Sequence, residues 1–235
     1  MSKGLWMMKN VISLPVVGIL YCSMGLICVY GSKDYQDIMY GLVLTESFSQ
    51  INLRALAGWT VILFFPHIVN GVIIDRCERI NILCYVRTKS KFRYRRRIYE
   101  ICLMNSALWS TILLIVHYTY SKMYSLELTI VLLTHIIMWT ALMILCYVLL
   151  KRSPLSIILP PLICVLSIGI SYSRKEISNY MISSLGMLTH SNLFEHIGIS
   201  PLVQATSNIV ISMICLIVAS MKEIFDGGRR KWKQS

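Results

Sequence analysis

The chain has 235 residues, a net charge of +12, 56% hydrophobic residues and only 14% charged ones, with a mean hydropathy of +0.64. A soluble domain carries about 25% charged residues, so this composition excludes an ordinary water-soluble fold. The few charges are also unevenly placed: they bound six long uncharged runs, each close to the ~20 residues that a helix needs to cross a bilayer.

The first run lies between Lys9 and Lys33 and encloses 23 residues. A cleaved signal peptide is the competing reading of Lys3 and Lys9 before an apolar stretch. The stretch is longer than a signal core, and no A-x-A-like site follows it. Tyr21 before Cys22 also argues against a lipoprotein-type signal. A membrane span over about 11–31 is expected. The segment 32–54, "SKDYQDIMYGLVLTESFSQINLR", is mixed, and its apolar residues suit a helix lying at the outer interface.

The second run, 20 residues between Arg54 and Asp75, predicts a span over 55–74. It holds Pro66 and two polar residues, His67 and Asn70. Next comes "DRCERINILCYV", residues 75–86, where Asp75 and Glu78 have the spacing of a capping box. Ile80, Leu83 and Cys84 then fall on one helical face, which predicts a short separate helix after span two. The stretch that overlaps its end, "YVRTKSKFRYRRR", residues 85–97, has seven cations in thirteen residues and no acid. Arg87, Lys89, Lys91, Arg93 and Arg95 alternate at period two, which distributes charge all round a helix. A polar connector over 87–97 is expected, running into span three.

The third run, between Glu100 and Lys122, encloses 21 residues and predicts a span over 101–121 with Asn105, Ser106 and His117 inside it. The turn at 122–127 is tight, so span four, 128–150, pairs with it in antiparallel fashion. "KRSP" joins spans four and five, and Pro154 suits the first turn of a helix. Span five, 153–173, carries Pro160 and Pro161. Segment 174–201 contains the charge-free "ISNYMISSLGMLTHSNLF", which is too polar for a comfortable span and too apolar for a solvated loop. A re-entrant or interfacial pair of short helices, broken near Gly186, is expected over 177–194; a seventh span is the alternative. Span six is expected over 202–221. Prolines 66, 160 and 161 mark either packing sites or moving parts. The polar residues in spans two and three read as interhelical hydrogen bonds, or, more sharply, as a substrate path made by His67, Asn70, Asn105 and Ser106.

Lys and Arg on alternate sides number 18 and 5. The positive-inside rule places the richer side in the cytoplasm, and both termini with it. The basic stretch at 85–97 is then cytoplasmic. It anchors topology beside anionic headgroups and also suits a cytoplasmic partner. A nucleic-acid patch is disfavoured, although Phe92 and Tyr94 interleave the cations, because the segment is short and pinned to the membrane.

Little chemistry is written in the chain. No acidic residue lies within any of the six runs, which argues against an ion- or proton-coupled carrier. "GLICVYGSK" has the wrong spacing for a P-loop and lies at the outer membrane edge. His190 and His196 are six apart, off one helical face. None of the eight cysteines sits in a C-x-x-C pair, so buried small hydrophobes are expected rather than a disulfide framework or zinc site. An intramembrane peptidase would need Cys77 or Cys84 as nucleophile, with no histidine nearby in sequence.

In layout, Asp75–Val86 with its basic extension and the polar 177–194 segment resemble the permease subunits of ABC-2-type exporters. The small size and "YVRTKSK" are similar to permeases of bacteriocin and lantibiotic export or self-immunity cassettes. The resemblance implies an all-α membrane domain with six spans, a cytoplasmic coupling helix between spans two and three, and re-entrant helices between spans five and six. It implies residence in a bacterial cell membrane, and a homodimer or a pair with a related permease. A separate ATP-binding-cassette ATPase would hold the ATP, this chain binding no cofactor. Glu78, Ile80, Leu83, Tyr85, Arg87, Lys89, Ser90 and Lys91 would be the ATPase-coupling residues. The cargo would be a peptide or another amphiphile. The rival reading is a stand-alone immunity protein that binds a peptide toxin.

Overall fold

The structure is a computed structural model that describes residues 14–30, 39, 53–88, 91–122, 125–151, 153–173, 181–187, 189, 191 and 198–231. The helices are α1 (Leu14–Tyr30), α2 (Leu53–Thr88), α3 (Lys91–Ser121), α4 (Leu126–Leu150), α5 (Ser153–Ser173) and α6 (Pro201–Lys231), with a 3-10 turn at Ser184–Gly186; Met39 and Thr189 are single helical positions. No strand forms among the described residues; Ser191 and Ile199 make an isolated parallel bridge.

Five helices contain stretches long and apolar enough to cross a membrane: Leu56–Cys77, Tyr94–Ser121, Leu126–Leu150, Pro154–Ser171 and Pro201–Lys222. The expectation was six. α1 covers the expected first span, but its apolar part is the shorter Val16–Ile27. The expected interfacial helix within 32–54 lies outside the described residues, apart from Met39 and the start of α2.

The largest correction concerns the region after span two. No break occurs at 74–75. α2 continues as one 36-residue helix to Thr88, and α3 begins at Lys91. The separate coupling helix at 75–86 is therefore the end of α2, and most of the connector at 87–97 is helical. The physical reason lies in what the segment lacks. Residues 72–100 hold no glycine or proline, so leaving the hydrocarbon removes no reason to stay helical. Asp75 lies inside the helix, with more than a full turn before it, and does not mark a helix start. At about 1.5 Å per residue α2 is ~54 Å long, against ~30 Å of hydrocarbon.

Helix ends elsewhere follow local chemistry. Ser125 caps α4: its Oγ accepts from the Leu128 amide at 3.2 Å. Lys151 closes the same helix in the left-handed region, at φ 55°, with its amide donating to the Tyr147 carbonyl. Pro154 falls in the first turn of α5, as expected. Proline 66, inside α2, has no amide hydrogen, so the carbonyl of Ile62 loses its helical donor. The Trp109 indole Nε1 of α3 donates to that carbonyl at 2.7 Å. Pro66 is thus accommodated by packing.

α4 is the central helix, with α3, α5, α6 and α2 around it. α4 and α6 run in parallel. Near their starts His135 meets Asn208, and towards the other end Ala219 shares a cluster with Met143, Ile144, Tyr147 and Val148. One apolar cluster, including Trp59, Trp109, Leu132, Ile136 and Trp139, fills the end near Lys122. A second, including Cys77, Tyr94, Ile98 and Cys102, fills the end near Lys151. Cys22, Cys77, Cys102, Cys146, Cys164 and Cys215 take part in no disulfide.

The outer surface is apolar. Val210, Met213, Ile214, Ile217 and Met221 of α6 are exposed, as are Ile158, Leu162 and Leu166 of α5. Apolar patches on soluble monomers rarely exceed a few hundred Å², so this face belongs in lipid. The exposed hydroxyls agree: Ser23 donates to the Ile19 carbonyl at 2.8 Å, Thr111 to Ala107 at 2.9 Å and Thr206 to Leu202 at 2.9 Å. Each satisfies itself on its own helix, which a water-free surroundings requires.

Within the expected re-entrant region, the described residues form no pair of short helices. Met181–Met187 makes a compact turn around Ser184–Gly186, buried from Ser183 to Met187. A continuous seventh span is excluded, because 181–183 and 187 are not helical. Residues 177–180, 188, 190 and 192–194 lie outside the description.

Candidate functional site

The expected ATPase-coupling residues occupy one end of the bundle. Glu78, Ile80, Leu83, Tyr85 and Arg87 are helical positions of α2, and Lys91 opens α3. Lys89 and Ser90 lie outside the described residues. Just inside this end, the Tyr94 phenol of α3 donates to the Cys77 carbonyl of α2 at 2.6 Å, which ties the two helices together. Arg96 and Glu100 pair at 3.0 Å one turn apart, both well exposed; such a pair contributes well under 1 kcal/mol.

Three of the four expected path residues come together in the interior. Asn105 Nδ2 donates to Asn70 Oδ1 at 2.9 Å, and Asn70 Nδ2 donates to Ser106 Oγ at 3.1 Å. Ser106 and Thr140 share a hydrogen bond of 2.7 Å, and the Thr140 hydroxyl also bonds the Ile136 carbonyl. α2, α3 and α4 are thereby joined by side chains that are all buried. Such bonds average about 0.6 kcal/mol each in a membrane bundle, so the cluster sets register more than it adds stability. His67 does not join it. Its ring is fully buried against Phe64, with the Trp139 and Leu63 backbone nearby but no well-aligned hydrogen bond to either ring nitrogen.

A second polar cluster, not anticipated from the sequence, surrounds the Met181–Met187 turn. The turn's own backbone bonds are internal: the amides of Ser184 and Leu185 reach Met181 O, that of Gly186 reaches Ser183 O, and that of Met187 reaches Ser184 O. Side chains of the bundle take what remains. Gln204 Nε2 donates to the carbonyls of Ser184 at 3.3 Å and Met187 at 3.1 Å. Asn208 Nδ2 donates to the Leu185 carbonyl at 3.1 Å. On the α5 side, Ser167 Oγ accepts from the Ser183 amide at 3.2 Å and bonds the Ser183 hydroxyl at 2.9 Å.

His135 braces this arrangement. The Trp139 indole donates to its Nε2 at 2.8 Å, so Nε2 is the acceptor nitrogen and the proton sits on Nδ1. Nδ1–H then points to Asn208 Oδ1 at 3.2 Å, leaving the Asn208 amide group to face Leu185. The order Trp139 to His135 to Asn208 to the turn is fixed by donor and acceptor roles alone. Gly186 lies flat against the His135 ring, and a Cβ there would overlap the imidazole.

A signal for this cluster exists in the sequence. Gln204, Asn208 and Ser212 recur every four residues in the uncharged part of α6, which puts three polar groups on one face. All three are buried. Their partners across the chain carry no such marker.

The fold defines a class: a helical protein embedded in a membrane, with five helices suited to crossing it among the described residues. Comparison of the chain with family models, curated proteins and solved structures finds no match. Among the described residues no group of three or more His, Cys, Asp or Glu side chains is placed to hold a metal ion.

Proposed function

We propose that this chain is the membrane-spanning permease subunit of an ABC transporter in a bacterial cell membrane, with both termini in the cytoplasm. It exports or clears a peptide such as a bacteriocin, and works as a homodimer or beside a related permease. A separate ATPase subunit binds and hydrolyses the ATP. The observation that carries this reading is the unbroken course of α2 through Thr88. The cations at 76–87 and 91–97 then ride on helices continuous with two membrane spans, so a force applied to them reaches the bundle interior. The lack of any carboxylate within the uncharged runs supports an outside source of energy.

The test is co-purification from native membranes. The wild-type chain is expected to bring down an ATP-binding-cassette subunit. Charge reversal at Arg87, Lys89 and Lys91 is expected to lose it while the variant stays in the membrane and helical. A complex with a toxin peptide and no ATPase would instead favour the stand-alone immunity protein, a reading supported by how completely the bundle core is packed: Ile62, Leu63, Trp109, Ile136 and Trp139 have no solvent exposure.

A further inference from the structure

The cluster around the Met181–Met187 turn has a property that ordinary packing does not require. Besides the apolar packing of Ile182 and Met187 and the Ser183 hydroxyl bond to Ser167, the bundle holds the turn by its main chain. Gln204 and Asn208 read three consecutive-region carbonyls, those of Ser184, Leu185 and Met187, and Ser167 reads one amide, that of Ser183. These contacts do not depend on which side chains the turn carries. The steric requirement is a glycine where the turn crosses His135. The slot also has an acceptor to spare: Gln204 Oε1 is buried and has no partner. An unpaired buried acceptor costs about 1–3 kcal/mol, and a peptide N–H is the group that would relieve it.

We propose that the slot between α4, α5 and α6 is a receptor for peptide backbone, and that the Ser183–Met187 turn is its resident occupant, a built-in mimic that a glycine-containing peptide displaces. The slot lies near the starts of α4 and α6 and the end of α5, so a peptide enters from the end of the bundle bearing Lys122. His135 is a positioning residue: Trp139 fixes its tautomer, and it in turn aims the Asn208 amide into the slot. The proposal deepens the peptide-transport reading and rests on it only for the identity of the natural ligand.

The experiment uses the full chain in detergent micelles and a labelled, end-capped heptapeptide, Met-Ile-Ser-Ser-Leu-Gly-Met, the sequence of residues 181–187. Gly186→Ala forces the resident turn off the His135 ring and vacates the slot. The heptapeptide is expected to bind this variant saturably and at least ~10-fold more tightly than the wild type, which corresponds to about 1.4 kcal/mol. Adding Asn208→Leu, or replacing the peptide's glycine by alanine, is expected to abolish the gain. Equal binding to the Gly186→Ala chain with and without Asn208→Leu would overturn the proposal. If Gly186→Ala fails to fold, a diazirine-bearing heptapeptide at high concentration decides on the wild type. Cross-links at Gln204–Asn208 or His135 support the slot, and cross-links only elsewhere, or none, refute it. No ATPase takes part in either measurement, so failure here leaves the permease reading standing, and loss of ATPase co-purification leaves the slot standing.

Discussion

Pro66 and Trp109 form a pair in which one residue creates a need and the other meets it. The proline frees the Ile62 carbonyl, and the indole takes it at 2.7 Å. Trp109→Phe keeps the aromatic bulk but strands the carbonyl, and should lower stability by about 1–2 kcal/mol, seen as an earlier melt in detergent. In a Pro66→Ala background the helix supplies its own donor, so the same change should cost much less. Equal losses in both backgrounds would deny the coupling. His67 is the opposite case. Both its nitrogens are buried without a well-aligned hydrogen bond, so His67→Leu removes two poorly satisfied polar groups at similar volume. The melting temperature should rise, by an amount equivalent to roughly 1 kcal/mol; a fall would mean that the ring has a partner which only the membrane-embedded state supplies.

At the scale of elements, the polar cluster Asn70–Asn105–Ser106–Thr140 sets how α2, α3 and α4 stand against one another. Asn70→Leu leaves both Asn105 and Ser106 short of a partner, whereas Thr140→Val removes one bond at the edge of the cluster and one back to the Ile136 carbonyl of its own helix. The first should destabilise by about 2–3 kcal/mol and the second by under about 1 kcal/mol, measured by thermal unfolding of the purified chain. α2 illustrates what a sequence shows and hides. Charge-free run length marked its membrane part well, because hydrocarbon excludes charge whatever the neighbours do. Its end was misread because Asp75-x-x-Glu78 has the same spacing whether a helix starts there or merely passes through. Only the absence of glycine and proline up to residue 100 pointed to continuation. The 181–187 turn was legible as an oddity of composition near Gly186, but its partners were not. Gln204 and Asn208 announce a polar face, while Ser167 and His135 reach it from helices distant in sequence. The continuity of α2 also predicts a mechanical outcome under the permease reading. Replacing Ile82–Leu83 by two glycines should leave ATP hydrolysis by the partner and stop export.

For the whole molecule, a six-span course would put 18 cations on one side and 5 on the other, which predicts orientation under the positive-inside rule. A single cysteine introduced at Arg87 in a chain whose own cysteines are replaced should react with an impermeant thiol reagent only after the cells are opened. Labelling in intact cells would reverse the orientation and remove the ATPase from reach of α2.

The parallel pairing of α4 with α6 has a consequence for biogenesis. His135 meets Asn208 across 73 residues of chain, so α4 leaves the ribosome well before its partner exists. At roughly 5–20 residues per second the wait lasts several seconds, during which the His135 Nδ1–H sits in the bilayer without its final companion, its Nε2 alone being met by Trp139 of the same helix. Nascent chains stalled after Ser173 should therefore be held by the insertion machinery or destroyed by membrane proteases, and extending them through Ser212 should release them.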